Sequence, residues 1–181
     1  MKTLIISIVL TTSAALTSIQ TYAQKCKFAY EKEDPISGKS TRGIAAPIKL
    51  PPIGGYEYWM IGFNQVDDSY YLDMTIRLYG ELNNGLNKND SVMFKLANDE
   101  LITCYVQDNV APQTNAVAVS GSLIVTTTYQ AKYTLTKEQL IKLSESNLVF
   151  ARMNISEKVY ENAPKEKHQK KILRAAICIL K

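Results

Sequence analysis

Apolar and polar side chains alternate most sharply at positions 70–79. Tyr70, Leu72, Met74, Ile76 and Leu78 share one face, and Tyr71, Asp73, Thr75, Arg77 and Tyr79 share the other. A period of two with one apolar face predicts a half-buried strand. Residues 56–64 read as its hairpin partner, and Val66-Asp67-Asp68-Ser69 as the turn between them. A second hairpin follows, with Val92, Phe94 and Leu96 on one arm, a turn at Asn98-Asp99, and Ile102, Cys104 and Val106 on the return. Upstream, Cys26, Phe28 and Tyr30 alternate in a short first strand, and Asp34-Pro35-Ile36-Ser37-Gly38 supplies turn chemistry. The next strand, 39–49, is expected to end before Pro51-Pro52, since proline cannot donate within a central strand. Residues 118–134 read as one long strand, with Leu123, Val125, Thr127, Tyr129, Ala131 and Tyr133 on one face. Val149, Ala151, Met153 and Ile155 mark another.

The period changes to helical in two places. Thr136-Lys137-Glu138-Gln139 matches a capping box and predicts a short helix from Lys137 to Ser144. Pro164 suits a first helical position, and Ile172, Ala175, Ala176, Ile179 and Leu180 fall on one side of a helix over 164–180. Lys167, Lys170, Lys171 and Arg174 fall opposite. Segments 50–55, 80–90 and 108–117 read as loops. The pattern predicts a mainly β domain with some α+β character. It is an antiparallel β-sandwich or curved sheet of about seven to eight strands, with a short late helix and a C-terminal helix packed on the sheet.

The start of the chain follows a different pattern. Lys2 precedes a mostly apolar run from Leu4 to Leu16, and Thr21-Tyr22-Ala23 offers a small residue for cleavage. That layout predicts a signal peptide over 1–23 and a single mature domain over 24–181. It places the protein outside the cytoplasm, in the periplasm or at the cell surface, where disulfides persist. A lipid anchor on Cys26 is disfavoured because Gln24 and Lys25 precede it. No later apolar run approaches the length of a membrane span. The net charge of +4 over 181 residues is mild, and no dense basic stripe with interleaved aromatics points to nucleic acid.

In that compartment the three cysteines carry weight. Cys104 shares an apolar strand face with Ile102 and Val106 and reads as a buried free thiol. Cys178 projects toward the polar side of the last helix, beside cations, where a free thiol would ionise and oxidise. A Cys26–Cys178 disulfide is the favoured resolution. Three thiols still offer three pairings, and Cys104–Cys178, Cys26–Cys104 and an intermolecular bridge stay open.

Most reactive chemistry finds no residues to carry it. The single histidine, His168, lies near the boundary of an apolar helix face and reads as structural. No G-x-S-x-G elbow, P-loop or C-x-x-C pair occurs, and Gly54-Gly55 lacks a dinucleotide-binding spacing. No catalytic residue, metal site or cofactor is therefore assigned. Carboxylates remain: Asp67, Asp68 and Asp73 surround one turn, and Glu31, Glu33 and Asp34 another. A glycosidase needs two such groups at the right separation, which a sequence does not reveal. These clusters read first as solvated turn residues; a calcium site at 67–73 matches no loop pattern. Tyr56, Tyr58, Trp59 and Tyr71, on the two arms of one hairpin, read first as packing the core and its edges, and second as candidates for stacking on sugar rings or anchoring a partner.

The leader ending Tyr22-Ala23-Gln24, the Asp34-Pro35-Ile36-Ser37-Gly38-Lys39 turn and the closing Ala176-Ile177-Cys178-Ile179-Leu180 resemble small, uncharacterised, exported β-rich proteins of Bacteroidota-type bacteria. The resemblance implies export and brings no activity. It also implies possible O-glycosylation at Asp-Ser/Thr-apolar sequences, which Asp90-Ser91-Val92 matches at Ser91. The expected function is a non-enzymatic binding or structural module of the cell envelope, with a glycan or an envelope protein as partner. The alternatives are a carboxylate-based hydrolase acting on glycans and a surface or fimbria-like structural subunit.

Overall fold

A computed structural model describes residues 26–51, 55–155 and 157–181. The expected leader lies outside the described residues. Ten strands and two helices follow in the order β1 (Tyr30–Glu33), β2 (Ser40–Lys49), β3 (Tyr58–Val66), β4 (Ser69–Tyr79), β5 (Ser91–Leu96), β6 (Leu101–Tyr105), β7 (Gln113–Val119), β8 (Ser122–Leu135), α1 (Lys137–Glu145), β9 (Leu148–Ile155), β10 (Lys158–Asn162) and α2 (Glu166–Leu180). They form a six-stranded sheet, β1-β2-β3-β4-β8-β7, and a four-stranded sheet, β10-β9-β5-β6. Every pairing is antiparallel. The mainly β architecture with a late short helix and a C-terminal helix is as the pattern predicts, with ten strands instead of seven or eight.

The alternation at 70–79 decides which side of the large sheet is dry. Leu72, Met74, Ile76 and Leu78 are all at most 1% exposed. The register sets them beside Trp59, Ile61 and Phe63 of β3 and Tyr129, Ala131 and Tyr133 of β8. Val92, Phe94 and Leu96 of β5, with Ala151, Met153 and Ile155 of β9, join the same core from the second sheet. Leu140 and Leu143 of α1, with Ile172, Ala175, Ala176 and Ile179 of α2, complete it. Each of the buried Val, Leu, Ile, Phe and Met side chains contributes roughly 1.5–3 kcal/mol by leaving water. Arg42 donates from Nη2 to the Ile179 carbonyl at 3.0 Å, placing a cation at the C-terminal end of α2 where the helix dipole favours one.

Four boundaries differ from the pattern. Residues 118–134 are not one strand: Ser120 and Gly121 both have positive φ (48° and 83°) and fold the chain back into the β7–β8 hairpin. Most of β7 therefore lies in the segment read as a loop, and β10 was not marked by any alternation strong enough to read. The first strand begins at Tyr30 instead of Cys26. α2 begins at Glu166 with Lys165 at its N-cap, so Pro164 precedes the helix instead of opening it.

The Cys26–Cys178 bridge is formed, with Cα atoms 5.7 Å apart across a sequence separation of 152. Cys178 is 2% exposed, so the expectation that it faces the polar side in the open is corrected: the bridge brings the N-terminal segment against that side of α2. Cys104 is free and buried, and burial pushes its thiol up to about 12.

Candidate functional site

The face of the six-stranded sheet turned away from the core is where chemistry gathers. On this face β3 presents Tyr58, Met60, Gly62 and Asn64, and β4 presents Tyr71, Asp73, Thr75 and Arg77. β8 adds Lys132 opposite Asp73 and Thr128 opposite Arg77. The floor is low because Gly43 and Gly62 carry no side chain. At Gly43 that is obligatory: a Cβ would collide with Asn64 Oδ1 and with the ring of Tyr30. A glycine inside a strand marks close approach of another group, and here the group is Tyr30.

Tyr30 crosses over Gly43 and donates its hydroxyl to Asn64 Oδ1 at 2.7 Å. Asn64, 8% exposed, turns its Nδ2 to Asp73 Oδ2, also at 2.7 Å. The amide is thereby oriented, with its oxygen accepting and its nitrogen donating. A shallow cleft of about 190 Å³ lies beside this chain, bounded by Tyr30, Gly43, Met60, Gly62, Asn64 and Asp73. Desolvation by the surrounding strands raises the Asp73 carboxyl above its ordinary value, against the lowering pulls of Lys132 and of the Asn64 hydrogen bond. Burial and the charge of Asp73 likewise raise the Tyr30 phenol. Asp73 remains open to solvent at its rim and is reachable from outside.

Two aromatic–cation pairs flank the cleft. The Arg77 guanidinium lies 4.9 Å from the Tyr58 ring centroid and donates from Nε to Thr128 Oγ1 at 3.2 Å. Lys132 Nζ lies 5.2 Å from the ring centroid of Tyr71. Arg77 lies six positions along the strand from Tyr71, a span of about 20 Å. Each ring therefore carries a cation over it and is not a bare stacking face.

The four candidate stacking residues do not assemble. Trp59 points into the core at 1% exposure, because it sits on the inward parity of β3; it is not a surface platform. Tyr58 and Tyr71 are half-buried on the outer face, apart from one another. Tyr56 precedes β3, where its backbone N–H donates to the Tyr79 hydroxyl at 3.0 Å. The acidic clusters also separate. Asp67 sits in the β3–β4 turn 3.8 Å from Lys39, and Asp34 accepts from the Ile36 backbone in its own turn. Glu31 and Glu33 lie exposed on β1. Among the described residues, no three His, Cys, Asp or Glu side chains are grouped as a metal site would need.

Elsewhere, His168 is buried at the start of α2, with Nδ1 3.2 Å from the Ile48 carbonyl oxygen. Ser91 opens β5 opposite Tyr105 and is half-buried. Lys167, Lys170, Lys171 and Arg174 are exposed on α2, with Lys170 paired to Glu166 at 2.6 Å. Sequence reasoning marked Asp73 and Tyr71 but missed Tyr30, Gly43, Asn64 and Lys132 as their companions. Gly43 and Gly62 inside strand patterns were the available signal.

No family model, no curated protein and no solved structure matches this chain.

Proposed function

We propose that the mature chain is an exported, non-enzymatic binding module of the cell envelope, and that the cleft on the outer sheet face holds its ligand, a glycan. The carrying observation is the Tyr30–Asn64–Asp73 hydrogen-bonded chain laid over a glycine floor. Sugar hydroxyls both donate and accept. A carboxylate, an oriented amide, a phenol and the flanking Lys132 and Arg77 answer both needs on a rigid sheet. A glycosidase would instead need a second carboxyl group about 5–9.5 Å from the first. The groups that hydrogen-bond or line up with Asp73 in the cleft are an amide, a phenol and the Lys132 ammonium, a set suited to holding hydroxyls. Export is supported by the leader pattern and by the Cys26–Cys178 bridge, a bond that oxidising compartments preserve. Among the described residues, no helix is long and apolar enough to cross a membrane.

The test is a glycan array probed with the mature protein, followed by calorimetry on any hit. Asp73→Ala and Tyr30→Phe should each weaken binding at least about tenfold, a loss of roughly 1.4 kcal/mol or more. Equal binding by both variants would remove the cleft from the reading. Release of reducing ends from the bound glycan, abolished in Asp73→Asn, would replace it with the hydrolase.

A further inference from the structure

A sheet edge presents unpaired N–H and C=O groups that invite another strand, and proteins commonly guard such edges with charge, proline or a covering element. Among the described residues the two sheets end in β1, β7, β10 and β6. β1 reads Tyr-Glu-Lys-Glu, three charges in four residues. β10 carries Lys158 and Glu161. β6 is stitched to β8 just past its end: Val106 bridges Tyr133, and the Gln107 N–H donates to the Lys132 carbonyl at 2.9 Å. β7 has none of these guards. Its seven residues, Gln-Thr-Asn-Ala-Val-Ala-Val, include no charge and no proline, and all but Val119 are exposed. The neutrality extends well beyond the strand, since no charged residue occurs from Asn109 to Ala131.

The same hairpin also outruns its sheet. β4 pairs with β8 only from Thr126 onward, whereas β7 stays paired with β8 down to Ser122. Ala116–Val119 and Ser122–Val125 therefore form a two-stranded arm. Val117 is 46% exposed and Leu123 is 68% exposed, and their registers place them on opposite faces of that arm. A lone two-stranded ribbon is marginal in water, so an arm with apolar side chains on both faces gains from cover.

We propose that β7 is an association edge and that its occupant is a second copy of this chain, paired antiparallel about a two-fold axis. The choice of occupant follows from charge. A partner selected electrostatically would find no counter-charge here. A second β7 brings the same neutral row, so the two-fold axis opposes no like charges and lets Ala116, Val117 and Ala118 meet their counterparts. Pairing joins two six-stranded sheets into one continuous sheet and closes after two copies, because an isologous contact uses the same patch on both. The contact leaves the outer-face cleft and its ligand chemistry untouched, so it stands or falls separately from the binding function.

The experiment is light scattering coupled to size exclusion on the mature chain, from micromolar to millimolar concentration, with hydrogen exchange at both ends of the range. The mass should rise from one chain to two and stop there, with the β7 amides protected only at high concentration. Val117→Lys and Ala116→Glu each place like charges across the axis. Each should weaken association at least about tenfold while keeping the wild-type thermal midpoint. Should either variant fold poorly, Val117→Cys in the otherwise native chain should cross-link to its own counterpart on mild oxidation, since the axis centred on Val117 sets that residue opposite itself. A single-chain mass at every concentration would overturn the proposal. So would growth without limit past two chains, or a dimer whose β7 amides exchange equally at both concentrations.

Discussion

Gly43 shows how one missing side chain builds a surface. Without a Cβ it admits the ring of Tyr30, whose hydroxyl then fixes Asn64, which in turn holds Asp73. Gly43→Ala forces both Tyr30 and Asn64 aside. It should cost on the order of 1–3 kcal/mol in a denaturant melt and should abolish ligand binding with it. Asp73 carries a second prediction. Its folded carboxyl lies above the ordinary value of 3.8, so folding favours the protonated form. Its contribution to stability is complete below that ordinary value and is lost as pH rises through the raised one. Asp73→Asn keeps an oxygen to accept from Asn64 and never ionises. Relative to wild type it should therefore be more stable at pH 7 than at pH 3.5, read as the difference in thermal midpoints at the two pH values; a gap independent of pH would refute the shift. Little of this was legible beforehand. Alternation placed Tyr71 and Asp73 on a polar face, but Tyr30 and Asn64 are 34 residues apart, and only the β1–β2–β3 register brings them together.

At the scale of elements, local chemistry was read well where it is self-contained. The helix α1 forms where Thr136 and Gln139 satisfy each other's backbone donors, with Gln139 Oε1 accepting from the Thr136 N–H at 2.9 Å and Thr136 Oγ1 from the Gln139 N–H at 3.2 Å. Thr136→Ala should cost about 1 kcal/mol by chemical denaturation, with α1 amides exchanging faster than those of α2. Reading failed where an element's boundary depends on a turn that keeps the hydrophobic phase. Ser120-Gly121 sits between apolar residues whose alternation runs on through it, so the β7–β8 hairpin passed for one strand. Pro164 failed for the opposite reason: it is buried against the fold, and the helix waits for Glu166.

For the whole molecule, the outcome is one core shared by two sheets and two helices, tied at the Cys26–Cys178 bridge. The sequence favours this pairing without excluding the others: Cys104 shares an apolar strand face, whereas Cys178 falls beside cations on the last helix and needs a partner. Removing the bridge by Cys26→Ser with Cys178→Ser should lower stability by about 2–5 kcal/mol, because the closed loop is long and the unlinked unfolded chain regains its freedom. A urea titration of the double variant against the oxidised wild type reads this directly, and equal midpoints would show that the core alone suffices. The outer-face cleft was not legible in the sequence, for a physical reason. Its polar groups come from four strands, and each is unremarkable until the register lays them side by side.

The bridge has a mechanical corollary. Everything between Cys26 and Cys178 lies inside a covalent ring, and α2 sits at its closure. A tug on the last helix is therefore delivered through sulfur to the neighbourhood of β1 and does not peel α2 away turn by turn. An unfolding machine that threads its substrate would have to swallow a doubled chain. The protein should outlast such machines until a reductant opens the ring.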